Sequence, residues 1–160
     1  MSTDMRASRW IRVGVALVLA GWIAPAVVAL AAGEVAGAGA APFPAGTTFN
    51  LVSVSGVQFG MGAAGAVPGL GTGDFHVTLF GTSALGASQV IKFDGDVSGI
   101  SILQGSAVLT GTGALDMGDG TVPRVGVPFT ATATANTLLL VLSGTTLPRA
   151  TLTQGAITIQ

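Results

Sequence analysis

Between Val125 and Ala135 every second residue is apolar: Val125, Val127, Phe129, Ala131, Ala133 and Ala135. Thr130, Thr132, Thr134 and then Asn136 fill the alternate positions. A period of two belongs to a strand with one face in a core and the other in water. A second apolar run, Leu138–Leu142, follows Asn136, so Val125–Leu142 is a predicted hairpin. Its inner face narrows from Val127 and Phe129 to three alanines, which lets a neighbouring strand or sheet approach closely. Leu138–Leu142 is apolar on both faces, so Thr137–Ser143 is expected as a central strand covered on both sides.

The same reading extends through the rest of the chain. Thr48–Phe59 predicts one strand, or two with a kink at Gly56. Gly60–Gly73 is dense in glycine and predicts a loop or wide turn. Phe75–Phe80 and Ser88–Phe93 predict short strands. Asp94-Gly95-Asp96 is a hairpin turn signal, because Asp-Gly suits a two-residue connection. Val97–Leu103 and Ala107–Thr112 follow, then a turn at Asp116–Gly120, the hairpin, and a last strand or two in Ala150–Ile159. The sum is about eight short strands with turn signals about every 8–12 residues, the pattern of an all-β protein. The expected fold is a single antiparallel β-sandwich or small barrel. No stretch after Ala32 has helical spacing, and no fixed-period repeat suggests a solenoid. An outer-membrane barrel needs alternating strands of about ten residues with aromatic girdles, which these short, aromatic-poor strands do not match.

The first thirty residues are of another kind. Arg6, Arg9 and Arg12 precede an apolar run, Val13–Ala32, that contains Pro25 and reaches Ala29-Leu30-Ala31. A basic start, an apolar middle and small residues one position apart describe a secretory signal peptide. Residues 1–31 are therefore expected to be removed on export. Retained, a run of roughly 20 apolar residues would be a membrane anchor. Small residues at Ala36–Ala41 offer later cleavage positions. Residues 32–46, rich in Ala, Gly and Pro, are expected as a linker or an extended arm, and 47–160 as the β domain.

Removing the leader changes the chemistry on offer. Trp10 and Trp22 both leave with it, and the chain has no tyrosine or cysteine. Disulfides, thiol nucleophiles and cysteine metal sites are thereby excluded. Lys92, Arg124 and Arg149 face Glu34, Asp74, Asp94, Asp96, Asp116 and Asp119, a net charge of −3. Three scattered cations give no footprint for nucleic acid.

Each candidate site competes with a plainer account. Asp94, Asp96 and Ser98 sit at alternate positions of Asp94–Gly99, like the front half of a calcium loop. Gly105 stands where such a loop needs a bidentate Glu, and the plainer account is a solvated turn. His76 is the single histidine, with Asp74 two residues before it. Strand alternation points it outward with Thr78, and no Gly-x-Ser-x-Gly elbow accompanies it. Gly69–Gly73 lacks the lysine and helix of a phosphate loop. Leu147–Thr151 has Ala150 where a Leu-Pro-x-Thr sorting signal needs Thr. Thr130, Thr132 and Thr134 could form an exposed ladder, with Thr151 and Thr153 as a second row. A flat threonine array resembles the ice-binding face of some antifreeze proteins, but threonine also suits exposed strand positions generally.

These features predict an exported, non-catalytic β domain, structural, adhesive or self-associating, in the periplasm, at the cell surface or outside the cell, with its own copies or an envelope or extracellular protein as partner. No cofactor is expected, calcium being the one metal with even a partial motif. The alternatives are a small barrel holding an apolar ligand and an enzyme of unfamiliar type using Asp74, His76 or the Asp94/Asp96 pair.

Overall fold

The computed structural model describes residues 33–160; the expected signal peptide, 1–31, lies outside them. Eleven strands follow in order: β1 Gly33–Pro42, β2 Thr48–Phe49, β3 Val52–Val67, β4 Leu70–Thr82, β5 Ser88–Leu103 and β6 Ser106–Asp116, then β7 Arg124–Thr134, β8 Thr137–Leu142, β9 Thr145–Thr146, β10 Ala150–Thr151 and β11 Gln154–Ile159. All belong to one antiparallel sheet, and no helix occurs among the described residues. Nine strands form its path in the order β10-β8-β7-β6-β5-β4-β3-β1-β11, while β2 pairs with β3 and β9 with β8. The path curls into a half-barrel. Its two ends, β10 and β11, are joined by Leu152 and Thr153 alone. The Leu152 amide donates to Asn136 O at 2.9 Å on one side, and the Thr153 amide donates to Ala40 O at 2.9 Å on the other.

The curl gives the sheet one apolar side. Phe49, Phe75, Leu79, Ile91, Phe93, Leu109, Leu115 and Leu142 are almost wholly buried there. Phe129 on β7 stacks on Phe75 of β4, centroids 5.0 Å apart, and meets Phe93 of β5 edge-on at 5.3 Å. β4 and β7 are separated in the sheet by β5 and β6, so the Phe75–Phe129 contact crosses the interior. Glycines make room for these rings. A Cβ at Gly95 would lie 2.6 Å from Phe93 Cε1 and 3.0 Å from Phe129 Cε1, and one at Gly111 would run into Asp96 O first and lie 2.8 Å from Phe129 Cε1. Alternating large and small inward residues is how a tightly curved sheet fills its interior.

Four expectations fail for one reason: glycines that read as turn signals lie inside strands. Six strands are ten residues or longer, rather than about eight short ones. Asp94-Gly95-Asp96 lies in the middle of β5, because Gly95 serves ring packing and leaves both carboxylates outside. Within the expected linker or arm, residues 33–42 form β1, paired with β3 along its whole length. Gly60–Gly73 is likewise strand on both sides of a turn at Pro68-Gly69.

The hairpin itself is present as β7 and β8, paired from Phe129↔Leu142 to Thr134↔Thr137. Val125 is nevertheless exposed, because Gly126, at φ +70°, breaks the alternation before Val127. β8 buries Leu138, Leu140 and Leu142 but leaves Leu139 and Val141 half-buried. It is covered on one face, since a curled single sheet has only one interior. These strands reach the length of membrane-barrel strands, but their two faces carry the opposite polarity. Here the apolar face points in, and Ser, Thr, Gln, Asp and Gly point out along β3, β4 and β5, the reverse of a lipid-facing wall.

Candidate functional site

The polar candidates collect on the outer face of β4 and β5. Alternation sends Phe75, Val77 and Leu79 inward and Asp74, His76 and Thr78 outward. Antiparallel register sets Asp74 opposite Asp96 and His76 opposite Asp94. His76 Nδ1 and Asp94 Oδ1 are 2.9 Å apart, with the side chains 59% and 71% exposed. The topology thus joins two residues that the sequence offered separately, and makes Asp94 rather than Asp74 the partner of His76.

The chemistry this pair supports is limited. A carboxylate on one imidazole nitrogen orients the ring as in a nucleophile–base–acid set. The remaining nitrogen, Nε2, has no protein hydrogen-bond partner among the described residues, so no hydroxyl is aligned for activation. Exposed to water, the pair contributes at most about 1 kcal/mol.

Asp94, Asp96 and Ser98 stand on one face of an extended strand, about 7 Å from one to the next. A calcium loop instead wraps its oxygens round an ion at about 2.3–2.6 Å, so the strand conformation does not fit that motif. Among the described residues no three His, Asp or Glu side chains are grouped to hold a metal ion. Asp119 has the clearest electrostatic environment. The Thr121 hydroxyl and amide both donate to its Oδ1, at 2.6 and 3.0 Å, and hold its carboxyl below the ordinary value.

The other motifs settle into structure. Leu70–Gly73 is the first turn-side part of β4, and the buried Leu147 amide donates to Leu140 O before the chain enters β10. Thr130 and Thr132 share the outer face of β7, but their neighbours across β8 are Val141 and Leu139. Thr134 ends in a hydroxyl contact of 2.7 Å with Thr137. On β6 Thr110 stands opposite Thr130 and Val108 opposite Thr132, so threonine and apolar side chains are mixed across this face.

Sequence reasoning missed a different surface. Gly33 and the turns after β3, β5 and β7 share one end of the half-barrel; the turns before β3, β5 and β7 share the other. Among the described residues nine large apolar side chains are exposed, and six of them, Leu51, Phe80, Leu85, Val90, Val122 and Val125, lie toward that second end. Leu51, Leu85 and Val122 occupy turns and are 88%, 96% and 86% exposed. Asn50 and Leu51 both have positive φ, 47° and 69°. This is a tight hairpin turn that favours Asn-Gly, so leucine there is strained by roughly 1–2 kcal/mol. The turn is fixed from behind: Asn50 Nδ2 donates to Met117 Sδ at 3.6 Å, and Gln89 Nε2 to Met117 O at 2.7 Å. Turn rules locate such loops but do not say that their apolar residues will converge on one end. Comparison with protein-family models, with curated proteins and with solved structures finds no match for this chain.

Proposed function

We propose that the protein is an exported, non-catalytic β domain that self-associates through the apolar turns at the end opposite Gly33. The observation that carries this reading is the strained, exposed Leu51, with Leu85 and Val122 exposed on other turns of the same end. Apolar residues gathered on turns, one of them at a conformational cost, are a feature of binding surfaces. With only nine charged residues in 33–160, little repulsion opposes contact between copies. Export rests on the basic start and apolar run of residues 1–31, and no cofactor is required.

We read the half-barrel as closed by Ala150–Ile159, which bonds β8 first and β1 afterwards. That closure argues against a carried apolar ligand, because the space it would occupy is filled by Phe75, Phe93 and Phe129. The enzyme alternative has only the open His76–Asp94 pair to draw on.

Sedimentation velocity tests the reading. The mature domain is expected to shift to larger species with rising concentration, and Leu51→Ser/Leu85→Ser/Val122→Ser to stay monomeric. A wild-type monomer at every concentration tested would overturn it.

A further inference from the structure

Residues 33–160 hold two methionines, and the fold gives them opposite surroundings. Met61 of β3 is buried in the core. Met117 directly follows β6, is half-buried and packs partly against the core. Its backbone and its side chain are held by different partners. The buried Gln89 of β5 donates its side-chain amide to Met117 O at 2.7 Å. The next residue, Gly118, lies so close to β5 that a Cβ there would run into Val90 O. The sulfur, at the surface, accepts from Asn50 Nδ2 at 3.6 Å.

That contact joins two of the apolar turns. The β6–β7 loop carries Met117 and Val122, and the β2–β3 turn carries Asn50 and Leu51. Asn50 makes no other side-chain hydrogen bond among the described residues. The same turn bears the positive φ angles of Asn50 and Leu51, so its strained backbone is tied to the loop through one sulfur atom. We infer that the Met117 thioether is an oxidation site whose conversion to the sulfoxide frees the Leu51 turn and weakens association at this end; the effect on association rests on the reading proposed above.

Thioether oxidation follows exposure, so Met117 reacts ahead of Met61. With a hydroperoxide, the sulfur lone pair attacks one peroxide oxygen; an S–O bond forms and the O–O bond breaks. Sulfur gives up two electrons. With hydrogen peroxide, the released hydroxide takes the proton of the new S–OH group, leaving the sulfoxide and one water. The sulfoxide is polar, whereas the thioether packs partly against apolar side chains, so the oxidised side chain turns out to water. Gln89 and Gly118 keep the backbone of the loop in place as it does so. Asn50 then loses its partner, and the Leu51 turn is no longer fixed to the loop.

The test follows purified protein through a titration with hydrogen peroxide by peptide mass mapping, the Leu51 amide resonance and sedimentation velocity. Met117 is expected to take up one oxygen before Met61 does. As it does, the Leu51 resonance should shift and association should weaken about fivefold, the weight of one hydrogen bond. Asn50→Asp tolerates the left-handed backbone but has no amide to donate. It should resemble the oxidised protein before treatment and change no further after it. Met117→Leu keeps the side-chain volume and the Gln89 bond, and its Leu51 resonance should ignore peroxide. Met61 converted in step with Met117, a Met117 sulfoxide with an unmoved Leu51 resonance, or either variant responding like wild type would overturn the inference. The resonance reads the contact in a monomer, so those failures are distinct from a wild type that never associates. That result would overturn the association reading and the effect on it inferred here.

Discussion

Phe129 and Leu51 are both large apolar residues, and they stand in opposite situations. Phe129 is enclosed, stacked on Phe75, set against Phe93, and given room by Gly95 and Gly111. Leu51 projects from a strained turn into water. The first region uses apolar surface to hold the sheet in its curl; the second presents apolar surface at a cost in stability. Hydrophobicity alone therefore does not assign a role here. What separates the two is whether the sheet's one interior lies within reach.

Removing the enclosed ring should have the largest effect. Phe129→Ala takes away contacts reaching two other strands, and a loss of about 3–5 kcal/mol is expected in urea denaturation. A loss under about 1 kcal/mol would mean that the interior repacks freely and that the contrast is overstated. Gly95→Ala probes the same region from the small side. Its methyl would press on Phe93 and Phe129, and a destabilisation of about 1–3 kcal/mol is expected.

At the open end the sign reverses. Leu51→Gly completes an Asn-Gly turn and relieves the left-handed strain, so stability should rise by about 1 kcal/mol while association weakens. Chemical denaturation and sedimentation on the same samples read both quantities, and a variant that loses stability would remove the argument for a strained, functional leucine. Asp94→Asn, which uncouples the exposed His76, should change stability by less than about 1 kcal/mol; a larger change would mark the β4–β5 face as structurally important. Asp119 carries the smallest expected effect. Its folded carboxyl is held below 3.8 by Thr121, so its stabilising contribution is present above that pH. The contribution disappears as pH falls through the lowered folded value. In Thr121→Val, a carbon-detected titration should show the carboxyl returning toward 3.8; an unmoved titration would mean that Thr121 is not the cause.

Much of the fold is legible from alternation. The all-β class, the β7–β8 hairpin, the outward direction of His76 and the turn at Asp116–Gly120 follow from residues within a few positions of one another. Strand length and the count of strands do not. Gly37, Gly39, Gly95 and Gly111 look like turn residues locally, but each lies in a strand where a Cβ would meet a neighbouring strand's carbonyl or, at Gly95, the Phe93 ring. The pairing of His76 with Asp94 across 18 residues follows from the β4–β5 register, which no local pattern specifies.

By itself the sequence determined which residues alternate, where the basic and apolar leader pattern lies, and which chemistries lack the residues they need. These are properties of composition and of neighbours along the chain. Only the tertiary structure decided that residues 33–42 form a strand between β3 and β11. It also decided that Asp94 and Asp96 leave the interior by flanking an inward glycine, and that the turns carrying Leu51, Leu85 and Val122 lie at one end. Each of those outcomes depends on how the sheet curls and which strands it brings side by side, and curl is a property of all its strands together.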